Sequence, residues 1–333
     1  MGDSWLPCMK KTMYRSQPET LCETYSFTFY PYRRSLRHPL PTSHGTWQYR
    51  EGIFVHLTGN RGIGWGEIAP LTNFGSESLS EAVAFCQQLP KTITAETIFA
   101  IPDRLPACQF GLESAMEDID ELPPLPSLQY SWLLPTGEAA LSAWRSPYEK
   151  GYRTFKWKIG VTHFNTEQKI WQQLLQELPA DCQLRLDANG GLDVDTTKAW
   201  LANCDRMRKN HQPPIEFLEQ PLPPHFFNTM QDLNQQYTTP IALDESVATL
   251  PQLQDCYQRQ WRGIFIIKPC IAGSPSRLRK FCQTHGIDVV FSSALETEVG
   301  RKAALRLAAE VNPSRCVGFG VDGLFGKEGE DKF

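Results

Sequence analysis

Although the chain has ten cysteines in 333 residues, no two stand closer than twelve positions, Cys270 and Cys282 being the nearest pair. A Cys-x-x-Cys redox pair and a clustered zinc-ligand pattern are therefore both absent, and the cysteines read as inert buried thiols. An excess of either charge is missing as well. With 33 basic residues against 37 acidic ones, the net charge of -4 is too small and of the wrong sign to draw the chain to nucleic acid or anionic lipid. There is no low-complexity tract and no internal repeat. The uncharged stretch Leu122 to Gly137 contains four prolines and falls short of the ~20 apolar residues of a spanning helix, so no membrane association is expected. Lys10 and Lys11 are followed by Thr12, Met13, Tyr14 and Arg15 where a secretory signal needs apolar residues, and a cytoplasmic location is expected. What remains is an ordinary globular composition, 41% hydrophobic and 21% charged, for which a small molecule is the default ligand.

The pattern along the chain divides it. Tyr25 to Tyr30, Gly52 to Thr58 and Ile63 to Ile68 read as an antiparallel meander, and Ser78 to Gln88 and Phe110 to Asp120 carry helical periodicity. The proline-rich run Leu122 to Pro126 cannot continue a helix and marks a boundary. Beyond it, eight short apolar strands (128–134, 154–159, 184–188, 216–220, 241–245, 263–268, 288–293 and 316–320) alternate with amphipathic segments such as 165–176, 195–209, 275–284 and 298–311. Eight such units in about 200 residues predict an α/β fold, a (β/α)₈ TIM-type barrel, because that count closes the ring and leaves no edge strand. The expected division is an N-terminal α+β domain over 1–122, the barrel over 123–316, and a segment 317–333 returning to the first domain.

In such a barrel chemistry collects at the carboxyl ends of the strands. There the sequence places Lys156 and Lys158, then Asp187, Glu219, Asp244 and Lys268, each about one unit apart. Three carboxylates on neighbouring strands would repel one another unless a cation joined them. All-oxygen ligation without His or Cys suits Mg²⁺, with Mn²⁺ a possible substitute. Residues two apart on a strand share a face, so Lys156 and Lys158 both point inward while Trp157 packs outward. Their like charges, with desolvation, would bring Lys158 from ~10.4 toward the ~7.5 of a useful general base. Lys156 would supply the perturbing charge and help hold an anionic substrate. Lys268, across the mouth, would be a second acid/base or a fixed cation. The ring suits abstraction of a proton α to a carboxylate, with stabilisation of the dianionic enediolate that results.

The set Lys-x-Lys, Asp-x-Asn, Glu-Gln-Pro, Asp-Glu-Ser and Ile-Lys-Pro on successive strands after a β-rich domain resembles the muconate lactonizing subgroup of the enolase superfamily. Arg50-Glu51-Gly52, Gly64 to Leu71 (GWGEIAPL) and Ser292 to Thr297 (SSALET) are similar to motifs of its o-succinylbenzoate synthase family. The likeness runs from about residue 24 to 325. It implies that the N-terminal domain caps the barrel, and that the reaction is dehydration of 2-succinyl-6-hydroxy-2,4-cyclohexadiene-1-carboxylate to o-succinylbenzoate in menaquinone or phylloquinone biosynthesis, a hydro-lyase step. By the resemblance Lys158 removes the α proton and returns it to the departing hydroxyl on the same face, and Lys268 stabilises the anion from the other. Asp187, Glu219 and Asp244 carry over as metal ligands and Asn189 as a neighbour orienting the site, with Ser292 and Ser293 near the succinyl arm. The stretches Arg34 to Gly45 and Gly59 to Gly64 are expected as loops closing over substrate, with Arg37, His38 and His44 as candidate carboxylate contacts or solvated loop residues.

Rival readings are an N-succinylamino acid racemase or dipeptide epimerase, which would use Lys158 and Lys268 from opposite faces, and a non-catalytic binding barrel. A nicotinamide-dependent dehydrogenase is disfavoured because Gly59 to Gly66 joins two strands without opening a helix. The residues leave the oligomeric state open.

Overall fold

Tyr25 and Phe27 alternate with the exposed Ser26 and Thr28, and that period of two lays one face of the first strand on an apolar layer. The computed structural model describes residues 23–42, 45–120, 124, 127–207, 214–311 and 313–320. In it β1 (Thr24–Thr42), β2 (Gly45–Gly59), β3 (Gly62–Ile68) and β4 (Thr92–Thr94) form an antiparallel sheet in the order β3-β2-β1-β4. Helices α1 (Leu79–Gln88), α2 (Ala95–Phe99) and α3 (Pro106–Glu117) complete this cap. Ser78 and Glu81 close a capping box at the start of α1, and Pro106 opens α3, where a missing N–H does no harm. The cap core joins Tyr25, Phe27, Ile53, Val55, Leu57 and Ile68 of the sheet to Leu112 and Ala115 of α3.

Close approach of α3 to β3 requires glycine. A Cβ on Gly64 would meet the Ala115 carbonyl oxygen at 2.0 Å, and one on Gly66 the Gly111 carbonyl oxygen at 1.9 Å.

Two stretches expected as loops take other forms. Arg34 to Thr42 is strand, paired to β2 as far as Thr42↔Gly45 with a register shift between Ser35 and Leu40. The shift brackets Pro39, which has no N–H to give a ladder, and so the proline-rich composition concealed a strand. Gly59 and Gly62 pair directly, leaving only Asn60 and Arg61 as a turn, and Arg61 bonds to Glu23 at 2.9 Å and to Asp120 beyond α3. Arg37 is exposed on β1; His44 and the side chain of His38 lie outside the described residues.

The second domain holds eight parallel strands: β5 (Tyr130–Leu133), β6 (Thr154–Lys158), β7 (Gln183–Asp187), β8 (Ile215–Glu219), β9 (Ile241–Leu243), β10 (Ile264–Ile267), β11 (Val289–Phe291) and β12 (Val317–Gly320). Their order is β11-β10-β9-β8-β7-β6-β5-β12, and a parallel bridge from Ser292 to Gly318 closes the ring. Between them lie α4 (Ala140–Ala143), α5 (Arg145–Glu149), α6 (Phe164–Glu177), α7 (Val194–Met207), α8 (Phe227–Gln236), α9 (Leu250–Gln258), α10 (Pro269–Ala272), α11 (Pro275–His285) and α12 (Glu298–Val311). Phe217, Ala242, Ile264, Ile266 and Val290 fill the barrel's interior, while Trp157, Trp171 and Trp200 belong to the layer between strands and helices.

The boundary expected after residue 316 needs correction. Val317–Gly320 pairs with β5 and is the eighth barrel strand, because without it the ring would expose two edges. Residues 321–333, expected to return to the cap, lie outside the described residues, as do 121–123 at the other boundary. Among the described residues, no helix is long and apolar enough to cross a membrane.

The cap rests on the end of the barrel where the strands have their carboxyl termini. Glu113 of α3 accepts from the Ser274 hydroxyl and the Ser276 amide at 2.6 Å each, at the start of α11, and Glu67 of β3 accepts from the Gly300 amide at 2.8 Å, in the first turn of α12. Both contacts are to segments that leave the carboxyl ends of strands.

Candidate active site

Parallel register brings the predicted ring together. Lys158 stands opposite Asp187, and Asp187 opposite Glu219, so three strands end level with one another. Glu219 pairs with Ala242, two residues before Asp244, and Lys268 immediately follows β10. Asp187, Glu219 and Asp244 are all buried.

The lysines partition among these acids. Lys156 Nζ lies 2.9 Å from Asp187 Oδ2 and 2.7 Å from Glu219 Oε1, and the Lys268 ammonium bonds to Asp244. Lys158 Nζ bonds to Asn189 Oδ1 at 2.6 Å and stands 4.0 Å from Asp187 Oδ2. Its side chain is 32% exposed, against 19% for Lys156 and 11% for Lys268, so it is the lysine most open to a ligand. The expected repulsion between Lys156 and Lys158 is replaced by pairing of Lys156 with the acids. Burial alone would depress the Lys156 pKa, but attraction to Asp187, Glu219 and Asp244 outweighs it and raises it. Burial, reinforced by Asp187, pushes Glu219 up to about 7, whereas Asp187, despite its burial, is held below the ordinary carboxylate value by Lys156 and Lys158.

Gln220, Glu245 and Phe74 join the site although no role was expected of them, and Asn189 takes the orienting place expected of it. Gln220, at φ 33, accepts through Oε1 from the amides of Asp244 at 2.9 Å and Ser246 at 3.2 Å, and thereby fixes the backbone that presents Asp244. Asn189, at φ 45, donates its own amide to Asp187 Oδ1 at 3.0 Å and its Nδ2 to Glu245 Oε1 at 3.1 Å. These left-handed residues just past strand ends store strain that the surrounding bonds hold in place. Glu245 Oε2 is buried with no hydrogen-bond partner, and burial together with Asp244 pushes the Glu245 carboxyl up to about 8. Phe74, from the cap, lies with its ring 4.4 Å from Lys268 Nζ. The Glu-Gln-Pro and Asp-Glu-Ser spacings were the available signals for Gln220 and Glu245; Phe74 had none.

The two serines differ. Ser292 continues the alternation of Val290, an interior residue, and its partly exposed hydroxyl donates to the Gly318 carbonyl at 3.4 Å. Ser293 is buried, with its hydroxyl donating to Glu296 at 3.0 Å and accepting from the Leu295 amide at 2.9 Å.

The donor set suits a hard divalent cation: three carboxylates, no thiolate, no imidazole. Asp187 and Glu219 already converge on one positive atom, Lys156 Nζ. In this arrangement, among the described residues, no three acidic, His or Cys side chains are gathered as a metal centre, since Asp244 turns to Lys268.

Residues 139–323 match the enolase C-terminal domain-like family, and residues 25–119 match the MenC N-terminal domain. An o-succinylbenzoate synthase from Thermosynechococcus vestitus is 42% identical over 87% of this chain and 91% of its own. The chain belongs to the o-succinylbenzoate synthase family of the enolase superfamily. Another family member, from Yersinia enterocolitica, is 30% identical over 87% of this chain and 88% of its own. The crystal structure of o-succinylbenzoate synthase from Thermosynechococcus elongatus BP-1, complexed with Mg in its active site, superposes with a TM-score of 0.84 at 40% identity, over 90% of this chain and 94% of that one. The L-Ala-D/L-Glu epimerase of Bacillus subtilis, with a TM-score of 0.74 at 21% identity, shares the fold alone, covering 90% of each chain. Family membership thus joins the (β/α)₈ barrel to an N-terminal domain of the synthase type rather than to an epimerase.

Proposed function

We propose that this chain catalyses the Mg²⁺-dependent syn-dehydration of 2-succinyl-6-hydroxy-2,4-cyclohexadiene-1-carboxylate to o-succinylbenzoate, a carbon–oxygen lyase step of menaquinone or phylloquinone biosynthesis. The observation that carries it is Lys158, half-open and bonded to Asn189, set beside a buried triad of carboxylates in a chain 42% identical to a known synthase. Asp187, Glu219 and Asp244 would hold the cation. Bound there, Mg²⁺ supplies fixed positive charge that lowers the cost of building negative charge on a nearby substrate carboxylate.

The remaining chemistry belongs to side chains. Neutral Lys158 takes the proton from the ring carbon that bears the carboxylate, and the C–H electron pair passes into an enediolate. The pair then returns to the ring and expels the hydroxyl, which receives the same proton from the Lys158 ammonium. Water and an aromatic ring are the products, so atoms and charge balance. Asn189 Oδ1 holds the Lys158 side chain in place between these steps. Lys268, buried against Asp244 and the Phe74 ring, stabilises the delocalised anion from the opposite side. Lys156 is a fixed counter-cation to Asp187 and Glu219. Ser292, on the inward face, is the better placed of the two serines for the succinyl arm.

The test is to incubate purified protein with the cyclohexadiene and Mg²⁺ while following loss of diene absorbance. Conversion to o-succinylbenzoate is expected. No conversion, together with racemisation of an N-succinylamino acid, would replace this reading with the racemase.

A further inference from the structure

Three motifs of whose residues the function above uses only Ser292, namely Arg50-Glu51-Gly52, Gly64 to Leu71 and Ser292 to Thr297, meet at one seam between cap and barrel. Arg50 is buried, and its guanidinium donates to five carbonyls. Nε reaches Leu295 at 3.1 Å; Nη1 reaches Glu51 at 2.7 Å and Pro70 at 3.0 Å; Nη2 reaches Ala69 at 2.6 Å and Ala294 at 3.4 Å. Two of the five belong to the barrel. Glu67 does the reverse. Its fully buried carboxylate accepts from the Thr297 amide at 3.0 and 3.1 Å, the Thr297 hydroxyl, the Gly300 amide at 2.8 Å and the Tyr32 hydroxyl.

The cap therefore grips a single segment at both ends, by its carbonyls through Arg50 and by its N–H groups through Glu67. A shift of the segment would take two of the five acceptors from the buried Arg50 guanidinium and leave the buried Glu67 carboxylate, of these donors, only the Tyr32 hydroxyl, a loss that folded proteins avoid. Leu295, whose carbonyl Arg50 holds, sits at φ 59, a left-handed backbone that leucine does not adopt unaided. The Ser293 hydroxyl, bonded to the Leu295 amide and to Glu296, braces the same turn. Ser292, at the mouth, is the residue just before it.

We propose that Arg50 and Glu67 are positioning residues for substrate binding, which lock the connection between β11 and α12, and with it Ser292, against the cap. The seam is then a built part of the binding site and does not open with each turnover. Only the identity of the substrate rests on the function proposed above.

The experiment uses Arg50→Lys and Glu67→Gln in the full chain. Lysine keeps the charge but cannot span five carbonyls, and glutamine turns a donor toward the N–H groups. Each variant is expected to raise KM for the cyclohexadiene about tenfold or more while kcat changes less than about threefold, the signature of lost positioning rather than lost chemistry. In Glu67→Gln the Thr297 and Gly300 amides are expected to exchange with deuterium at least about tenfold faster, with β6 unchanged. Unchanged KM and unchanged exchange would overturn the proposal, as would a fall in kcat with KM constant. Should either variant fail to fold, Thr297→Val removes one hydroxyl from the seam and should move both readouts in the same direction; no movement overturns the idea. If the unaltered chain does not turn over the cyclohexadiene, the function reading falls, and the exchange rates alone then decide the seam.

Discussion

Lys158 Nζ lies 2.6 Å from Asn189 Oδ1 and 4.0 Å from Asp187 Oδ2, so the most exposed of the three site lysines is tethered by a neutral amide while the other two are locked to carboxylates. Lys156 and Lys268 are thereby committed to acids, and Lys158 is the lysine whose side chain a substrate reaches most readily.

Replacing Lys158 with alanine should therefore lower turnover by at least about 10³-fold, within the range general acid–base catalysis supplies. The variant should keep the thermal melt of the unaltered chain, since the side chain is partly exposed and makes one hydrogen bond. Stopped assays and circular dichroism check both halves. Near-normal turnover would remove Lys158 as the base.

Metal removal should abolish activity, and Mg²⁺ should restore it. Asp187→Asn, Glu219→Gln and Asp244→Asn should each weaken Mg²⁺ binding in a calorimetric titration. Because the cation binds only the folded chain, Mg²⁺ at a hundred times its dissociation constant should stabilise the protein by about 2.7 kcal/mol. A melting temperature indifferent to Mg²⁺ would contradict the ligand assignment.

Burial, opposed by backbone amides and reinforced by Glu67, pushes Glu296 up from the ordinary 4.5 to about 7. The folded chain thus binds this proton more tightly than the unfolded one. As pH rises from about 4.5 to about 7, the unfolded carboxyl ionises first and stability is lost; above about 7 the loss is complete. The shift corresponds to about 3 kcal/mol. Glu296→Gln lacks this term, so its stability relative to the unaltered chain should rise between pH 5 and pH 8, as measured by urea unfolding. An equal difference at both pH values would refute the assignment.

Gly66→Ala should cost about 3 kcal/mol or more, because the new Cβ would meet a backbone oxygen at 1.9 Å, with no flexible side chain to yield. Gly137, with nothing within 4 Å of its added Cβ, offers a control, where alanine should cost only the about 1 kcal/mol of a positive φ. Equal losses in the two variants would show that close packing of α3 on β3 is not the reason for glycine at residue 66.

Much of the barrel was legible because its strands are short, apolar and evenly spaced, and five successive ones, β6 to β10, end in or lead into a charged residue that such a core does not otherwise tolerate. Lys158, Asp187, Glu219, Asp244 and Lys268 could be placed in one ring from spacing alone, since these five strands contribute at the same end. The β1–β2 hairpin arm was hidden by its prolines, whereas the last strand, expected over 316–320, forms as Val317–Gly320 and only the domain boundary drawn after 316 was misplaced. Phe74 gave no sign of reaching Lys268, because a ring over an ammonium depends on how two domains meet.

By itself, then, the sequence determined the kind of fold and the ring of acids and lysines at one end of it, because both are written in a local period repeated over successive strands. Only the tertiary structure decided the partners. Lys156 went to Asp187 and Glu219, and Lys158 went to Asn189, because parallel register and burial select among groups that composition leaves equivalent. It also decided the seam, where Arg50 meets Leu295 across 245 positions and Glu67 meets Thr297 across 230. Those bonds end on backbone atoms, which every residue carries, and so no side-chain pattern could announce them.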